Sequence, residues 1–379
     1  MNILIINLIL STAEKGVVTK RSSNYDCMIY NFARGFVANG HSVTVCASEE
    51  YMPKEKEKND FEVIYFRSKW RRIFKPDLIP FPIGLRAYVK KNIHKYDLVI
   101  ASEVFQMATL LVADVCKDKL VIWQELSLHN KMLFKLPSKF WYNCVTSYSS
   151  IKDALVVPRS EMAKQFIGGY ANNVSDDIVE HGANGDIFKP INQSTNSFVI
   201  IARLVEGKNV DKMIKVFSKF VGHSKYADYV LHIVGDGPEK KNLEKLIVSL
   251  NIAKNVVMHG FLSHKEFSSI SALAKGFLVN TSKDLNMVSI PESILCGTPV
   301  LMNTLPNTAQ FIANNKLGIA KDNWDEGDLV EMVENYDLYH DNCVQIREQL
   351  TNVGCSKKMI KIYTEYKQKK DEQKSSCRK

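Results

Sequence analysis

Two loops carry side chains that could handle a diphosphate and a sugar. The first, Ala202-Arg-Leu-Val-Glu-Gly-Lys208, follows a short apolar run and precedes a helical pattern. At the end of a strand, Arg203 and Lys208 would supply two fixed cations, which suits a diphosphate both while bound and as it leaves. The second, residues 280–300, reads Asn-Thr-Ser-Lys-Asp-Leu-Asn-Met-Val-Ser-Ile-Pro-Glu-Ser-Ile-Leu-Cys-Gly-Thr-Pro-Val. Asp284 and Glu292 bracket its loop. A carboxylate accepts two hydrogen bonds in fixed geometry, which suits sugar hydroxyls, and backbone N–H groups at a helix start suit phosphates. The plain alternative is solvated loop cations, with Glu292 a favourable charge in a first helical turn.

Three further stretches bear on chemistry. In Trp123-Gln-Glu-Leu-Ser-Leu-His129, Gln124, Glu125 and His129 follow a strand and are candidates to approach a sugar or an acceptor; each also reads as structural. The first strand is followed by a single loop glycine, Gly16, and not by G-x-G-x-x-G, which argues against a dinucleotide enzyme. Gly16 is read both as a turn glycine and as a point of close backbone approach to a phosphate or acceptor. Asp236-Gly-Pro238 reads as a strand-to-helix turn with proline near the helix start.

These loops need strands and helices to hold them. Strand-like runs at 3–6, 42–46, 61–66, 96–101, 120–123 and 154–157 are interleaved with helical patterns at 24–39, 84–94, 105–116, 138–150 and 160–169. A second series places strands at 198–202, 230–234, 256–259, 277–280 and 299–302, with helices at 210–220, 239–250, 265–273 and 291–295. Strands alternating with helices of this length imply βαβ units and parallel sheets. Two series imply two doubly wound domains, α/β in class, with ligands outside the carboxyl ends of the strands, in the cleft between the sheets. The expected domains are 1–188 and 189–355, with 356–379 a terminal helix crossing toward the first domain plus a polar tail.

The second half resembles the retaining, GT-B-fold glycosyltransferases of family 4 (group 1). His181-Gly-Ala-Asn-Gly-Asp-Ile-Phe-Lys-Pro190 is similar to the family's hinge segment. The Arg203–Lys208 loop is similar to its donor-phosphate loop, and Val234-Gly-Asp-Gly-Pro-Glu239 to its Gly-x-Gly-Pro turn. Residues 284–292 stand in for its Glu-x7-Glu element, and Cys296-Gly-Thr-Pro-Val300 for its small-Gly-Thr-Pro-Val ending. The likeness is strong over 178–305; the first half shares only the layout.

The resemblance implies a GT-B fold of two facing Rossmann-like domains, acceptor first and nucleotide sugar second. It implies a metal-independent, retaining hexosyltransferase using a UDP- or GDP-linked sugar as co-substrate, with no other cofactor. Arg203 and Lys208 would hold the diphosphate, Asp284 would face the sugar, and Glu292 would bind the ribose. Gly260, Phe261 and Leu262 would line the base pocket, backbone near Met287 and Val288 would meet sugar and phosphate, and Glu125 would act toward sugar or acceptor. Asp284-Leu-Asn-Met287 departs from the family's Glu-Gly-Phe-Gly, which signals a different sugar or pocket, or lost activity. The runner-up is a non-catalytic homologue acting as a partner subunit.

Bulk properties frame this. The chain of 379 residues is 45% hydrophobic and 24% charged with net charge +9, ordinary globular composition. Eight cysteines without a C-x-x-C pair read as reduced core residues of a cytoplasmic protein. Neither the apolar start nor any later stretch reads as a membrane span or a secretory leader. Phe66-Arg-Ser-Lys-Trp-Arg-Arg-Ile-Phe-Lys75 is basic with interleaved aromatics. It reads either as a solvated face or as a contact with an anionic membrane, at whose inner face a lipid-linked acceptor would lie; no nucleic-acid module surrounds it. A glycan or lipid-linked acceptor in cell-surface polysaccharide or glycoconjugate synthesis is the expected setting.

Overall fold

A computed structural model describes residues 1–11, 17–130, 132–180 and 182–376. The chain divides into two compact units: one of Met1–Gly182 with Asn352–Lys379, the other Ala183–Thr351.

The first unit is built on β1 (Asn2–Ile6), β2 (Ser42–Ser48), β3 (Glu62–Phe66), the short pair β4 (Ser68–Lys69) and β5 (Phe81–Pro82), then β6 (Leu98–Ser102), β7 (Leu120–Gln124), β8 (Leu155–Pro158) and β9 (Asn173–Val174). Among the described residues, seven of these form a sheet in the order β3-β2-β1-β6-β7-β8-β9, with every neighbour parallel. Its helices are α1 (Met28–Ala38), α2 (Leu85–Asn92), α3 (Met107–Cys116), α4 (Leu136–Phe140) and α5 (Glu161–Gly168). Both faces of the sheet are covered, so β1 and β6 are apolar at nearly every position, as parallel strands must be. α1 buries Ile29, Phe32, Ala33 and Phe36 on one face. It ends at Gly40, whose φ of +79° is left-handed, with the His41 N–H donating to the Phe36 carbonyl at 3.1 Å.

The helix expected over 138–150 is shorter. α4 passes into one wide turn, Trp141–Val145, where the Thr146 N–H donates to the Trp141 carbonyl at 2.9 Å. The run after it is rich in hydroxyls, which compete for the backbone: Ser149 Oγ donates to the Thr146 carbonyl and accepts from the Ile151 N–H.

The second unit contains β10 (Ser197–Ile201), β11 (Val230–Val234), β12 (Val256–Gly260), β13 (Gly276–Val279), β14 (Val300–Met302) and β15 (Gly318–Ala320). They form a parallel sheet in the order β12-β11-β10-β13-β14-β15. Around it lie α6 (Val210–Gly222), α7 (Lys240–Ser249), α8 (His264–Leu273), α9 (Ser289–Leu295), α10 (Ala309–Asn314), α11 (Glu326–Glu334) and α12 (Tyr336–Leu350). Met213, Ile214, Phe217 and Phe220 turn one face of α6 into the core. α8 opens with a capping box: Ser263 Oγ accepts from the Glu266 N–H, and the Glu266 carboxylate accepts from the Ser263 N–H, which satisfies two helix-end donors at once.

The last helix, α13 (Asn352–Ser376), belongs to the first unit. It packs along α1, and Cys355, Met359, Ile362 and Tyr363 enter the core with Phe32 and Phe36. Gly35 makes this approach possible, because a Cβ there would overlap the Asn352 carbonyl.

Candidate functional site

All strands of the second sheet run in parallel, so the loops after β10, β11, β12 and β13 gather at one edge. The backbone locks them together. The Ala202 N–H donates to the Val234 carbonyl (3.1 Å), the Leu204 N–H to that of Asp236 (2.9 Å), and the Gly235 N–H to that of Gly260 (2.7 Å). Arg203 thus stands between two residues whose amides are tied to the neighbouring turn; its side chain is exposed. Gly235 sits at φ +136°, and a Cβ would overlap the Ala202 carbonyl. This gives the Gly-Asp-Gly-Pro turn its physical meaning: it is the buttress behind Arg203.

Lys208 closes the same loop, and its ammonium pairs with the Asp284 carboxylate. The two loops are also tied through Gly207, whose carbonyl accepts from the Ser282 N–H (2.9 Å) and the Thr281 hydroxyl (3.3 Å). The Asp284 N–H in turn donates to Thr281 Oγ1 at 3.0 Å. The structure therefore joins two residues expected on separate loops, a cation for phosphate and a carboxylate for sugar.

Glu292 lies buried in the first turn of α9, 3.8 Å from His264 Nε2. Met287 is buried, while Val288 stands partly in solvent. Asn286, foreign to the commoner family pattern, has its amide oxygen held by Asn307 Nδ2 at 2.9 Å, and the Asn307 N–H donates to the Leu285 carbonyl at 2.8 Å. The Asp-Leu-Asn-Met loop is thus braced by a partner from beyond β14. Gly260 takes φ +70° with open space around it, Phe261 is almost wholly exposed, and Leu262 packs half-buried against the core of the second unit. Gly16 lies outside the described residues. Among those described, no three His, Cys, Asp or Glu side chains form a metal-ligand cluster.

In the first unit, Gln124 is fully buried and occupied. Its Oε1 accepts from the Val104 N–H (2.9 Å) and its Nε2 donates to the Leu126 carbonyl (2.9 Å). His129 is packed among Tyr142, Phe166 and Tyr170, and burial lowers its pKa. Both are thus held in place by the fold, Gln124 through its amide and His129 through its aromatic neighbours. Glu125 pairs with the buried Arg159, whose guanidinium lies 3.6 Å over the Trp123 ring.

Sequence reasoning missed the third member of this cluster. Glu103 follows β6, has a left-handed φ of +66°, and accepts from the Glu125 N–H (2.6 Å) and the Leu126 N–H (3.2 Å). Burial pushes its carboxyl up to about 7, with Arg159 opposing and Glu125 reinforcing. No local pattern marks it; only strand order brings the ends of β6, β7 and β8 side by side.

A recess of about 500 Å³ opens where the chain leaves β1, β2 and β3, lined by Val17, Lys20, Glu49, Glu50, Arg71 and Pro76. Glu50 is fixed there by the Ser48 and Ser68 hydroxyls and by Arg71 (2.8 Å). A separate cavity of about 740 Å³ beside Tyr30, Phe61 and Tyr65 touches none of the expected site residues.

Residues 177–352 match the model of the family described as glycosyl transferases group 1. The match spans the whole second unit, Ala183–Thr351. The matched stretch holds the Arg203, Lys208, Asp284 and Glu292 loops in full. Among relatives, an alpha-monoglucosyldiacylglycerol synthase of Acholeplasma laidlawii is 25% identical over 121 residues, 32% of this chain and 30% of its own length. The matched stretch thus spans under a third of that protein. A glycosyltransferase of Haemophilus influenzae is 23% identical over 291 residues, covering 74% of this chain and 76% of its own. In fold, the chain is similar to Anabaena Alr3699/HepE, solved in complex with UDP: TM-score 0.65 at 14% identity, over 96% of this chain and 100% of that one. The two doubly wound units are those of the GT-B fold.

Proposed function

We propose that this protein is a retaining, metal-independent glycosyltransferase. It moves a hexose from a UDP- or GDP-linked donor to a glycan or lipid-linked acceptor in cell-surface polysaccharide or glycoconjugate synthesis. The observation that carries this reading is the Lys208–Asp284 pair, fixed between two interlocked loops at the carboxyl edge of a group 1 sheet. Such an edge is where open α/β sheets bind their ligands.

In this reading the second unit takes the donor. Phe261 and its neighbours Gly260 and Leu262 receive the base, Glu292 the ribose hydroxyls, and Arg203 and Lys208 the diphosphate. Asp284 and the backbone near Met287 and Val288 meet the sugar. As the glycosidic bond breaks, negative charge grows on the diphosphate, and two prepositioned cations stabilise that charge without reorganising. The acceptor hydroxyl attacks from the face the diphosphate leaves and passes its proton to the departing phosphate oxygen, so configuration is kept with no protein nucleophile. The first unit takes the acceptor in the recess beside Glu50 and Arg71, and Glu125, oriented by Arg159, acts toward the acceptor. The similarity to an alpha-monoglucosyldiacylglycerol synthase supports a lipid-linked acceptor, and the basic, aromatic 66–75 stretch supports contact with an anionic membrane at the cytoplasmic face.

The test is thermal unfolding in EDTA with a panel of nucleoside diphosphates and nucleotide sugars, wild type beside Arg203→Ala. A ligand that binds only the folded state raises the midpoint by mass action. We expect one base class to stabilise the wild type and not the variant. If no nucleotide acts at millimolar concentration, the transferase reading gives way to a non-catalytic partner subunit.

A further inference from the structure

The loop after β7 carries an apolar surface that the fold leaves uncovered. Between Glu125 and Asp153 the chain has four lysines and no acidic residue. Within it Phe134 and Tyr148 are each 91% exposed, and Leu133, Leu136 and Phe140 are 64–68% exposed. Large apolar side chains exposed at this density along one short segment mark an interaction surface.

The arrangement is amphipathic in a particular sense. On the inner side Ser138, Trp141 and Tyr142 are buried, with Trp141 Nε1 donating to the Val104 carbonyl at 2.9 Å. On the outer side Leu133, Phe134 and Lys135 form a left-handed turn that leads into α4, and Leu136, Lys139 and Phe140 of that short helix are likewise exposed. The segment is therefore anchored from within and apolar without, and it is rimmed by cations.

The 67–83 loop leaves the same end of the sheet. It follows β3 as the 125–150 loop follows β7, and both strands end at the same edge of a parallel sheet. Gln106 links the two, its Nε2 donating to the Leu78 carbonyl (2.8 Å) while the neighbouring Phe105 packs edge-on to Trp141. Trp70 and Ile73 are exposed there, beside Arg67, Lys69 and Arg72.

We infer that residues 133–148, with Trp70 and Ile73 alongside, form a docking surface for an anionic lipid bilayer. Phe134, Leu136 and Phe140 enter the acyl boundary and Lys135 and Lys139 meet lipid phosphates. Cationic, aromatic-rich segments bind interfaces by the sum of apolar burial and attraction to anionic headgroups. The absence of acids over the whole segment favours an anionic surface over a neutral one. The inference names the membrane element of the function proposed above, and it stands or falls apart from nucleotide binding.

The test is co-sedimentation of the full chain with phosphatidylcholine vesicles with and without phosphatidylglycerol, at low and high salt. The variants are Phe134→Ser/Phe140→Ser and Lys135→Glu/Lys139→Glu, with thermal unfolding confirming that each folds. We expect binding to the anionic vesicles only, weakened by salt. Each pair of changes should lower it by on the order of tenfold or more, with the nucleotide-dependent rise in midpoint unchanged. The proposal is overturned if the wild type stays in the supernatant, if neutral and anionic vesicles bind alike, or if folded variants bind as well as the wild type. It is also overturned if light scattering finds a self-associated protein that the Phe variants return to monomer while vesicle binding persists, which would make the patch a protein interface.

Discussion

At the scale of single residues, the pairing of Lys208 with Asp284 sets up a competition that can be measured. A phosphate must share or displace the Asp284 carboxylate to reach the ammonium. Partly exposed ion pairs are worth about 1 kcal/mol or less, so removing the rival charge should modestly strengthen anion binding. Asp284→Asn is expected to bind free nucleoside diphosphate a few-fold more tightly and the nucleotide sugar more weakly, because the sugar keeps only an uncharged amide oxygen in place of a charged carboxylate. Lys208→Met should weaken both by about 10- to 100-fold, the value of one charged hydrogen bond. Calorimetry with both ligands checks the signs, and equal losses for both ligands in Asp284→Asn would contradict the sugar-facing role. Glu103 offers a second test. Its carboxyl is raised from 4.5 to about 7, so between those values the folded state holds a proton that the unfolded chain has released. Stability from this group is complete below about pH 4.5 and is lost as pH rises through about 7. Glu103→Gln should flatten the fall in urea midpoint between about pH 5 and pH 7.5 relative to wild type; an unchanged slope would mean Glu103 titrates normally. Neither feature is legible locally. Sequence names Lys208 and Asp284 as candidates, but their contact depends on Gly207 bringing two loops together, and Glu103 depends on which strand lies beside which.

At the scale of elements, what the sequence states well is what short-range physics decides. The apolar runs of β1, β6 and β10 are buried but for the ends Asn2 and Ile201, and the face of α6 follows from Met213, Ile214, Phe217 and Phe220. The shortened α4 was hidden because apolar residues on both of its sides mimic a longer core helix. The glycines are legible in kind but not in degree. Gly235 and Gly260 both have positive φ, yet only Gly235 has the Ala202 carbonyl where a Cβ would go, while Gly260 faces open space. Gly260→Ala should therefore cost about 1 kcal/mol, the left-handed penalty alone. Gly235→Ala should cost several-fold more and also disturb the Arg203 loop that it buttresses. Urea unfolding of the two variants, with nucleotide binding measured on each, checks this. Equal costs would mean that the turn yields and is not a buttress.

At the scale of the whole molecule, chain order and spatial order part company at the end. The terminal helix reads from sequence as a stripe of Met359, Ile360, Ile362 and Tyr363, but its partner is encoded some 320 residues earlier, where Asn31 accepts from Asn352 Nδ2 and Asn39 donates to Ser356 Oγ. Such pairings leave no trace in local periodicity. Their consequence is asymmetric. Cys355, Met359, Ile362 and Tyr363 are almost wholly buried; at about 1.5–3 kcal/mol for each large side chain, their loss approaches the whole stability of a domain, about 5–15 kcal/mol. A chain ending at Thr351 should lose the first unit and keep the second, whose sheet and helices all lie within Ala183–Thr351. Limited proteolysis should then digest the segment before Gly182 and leave a resistant fragment of the second unit that still gains thermal stability from the nucleotide that stabilises the full chain. Gly35→Leu, which places a side chain against the Asn352 carbonyl, should reproduce the same pattern more mildly with α13 still present. Survival of the first unit in the truncated chain would show that α13 only covers it. Loss of nucleotide binding from a resistant second unit would show that the donor site draws on residues outside Ala183–Thr351.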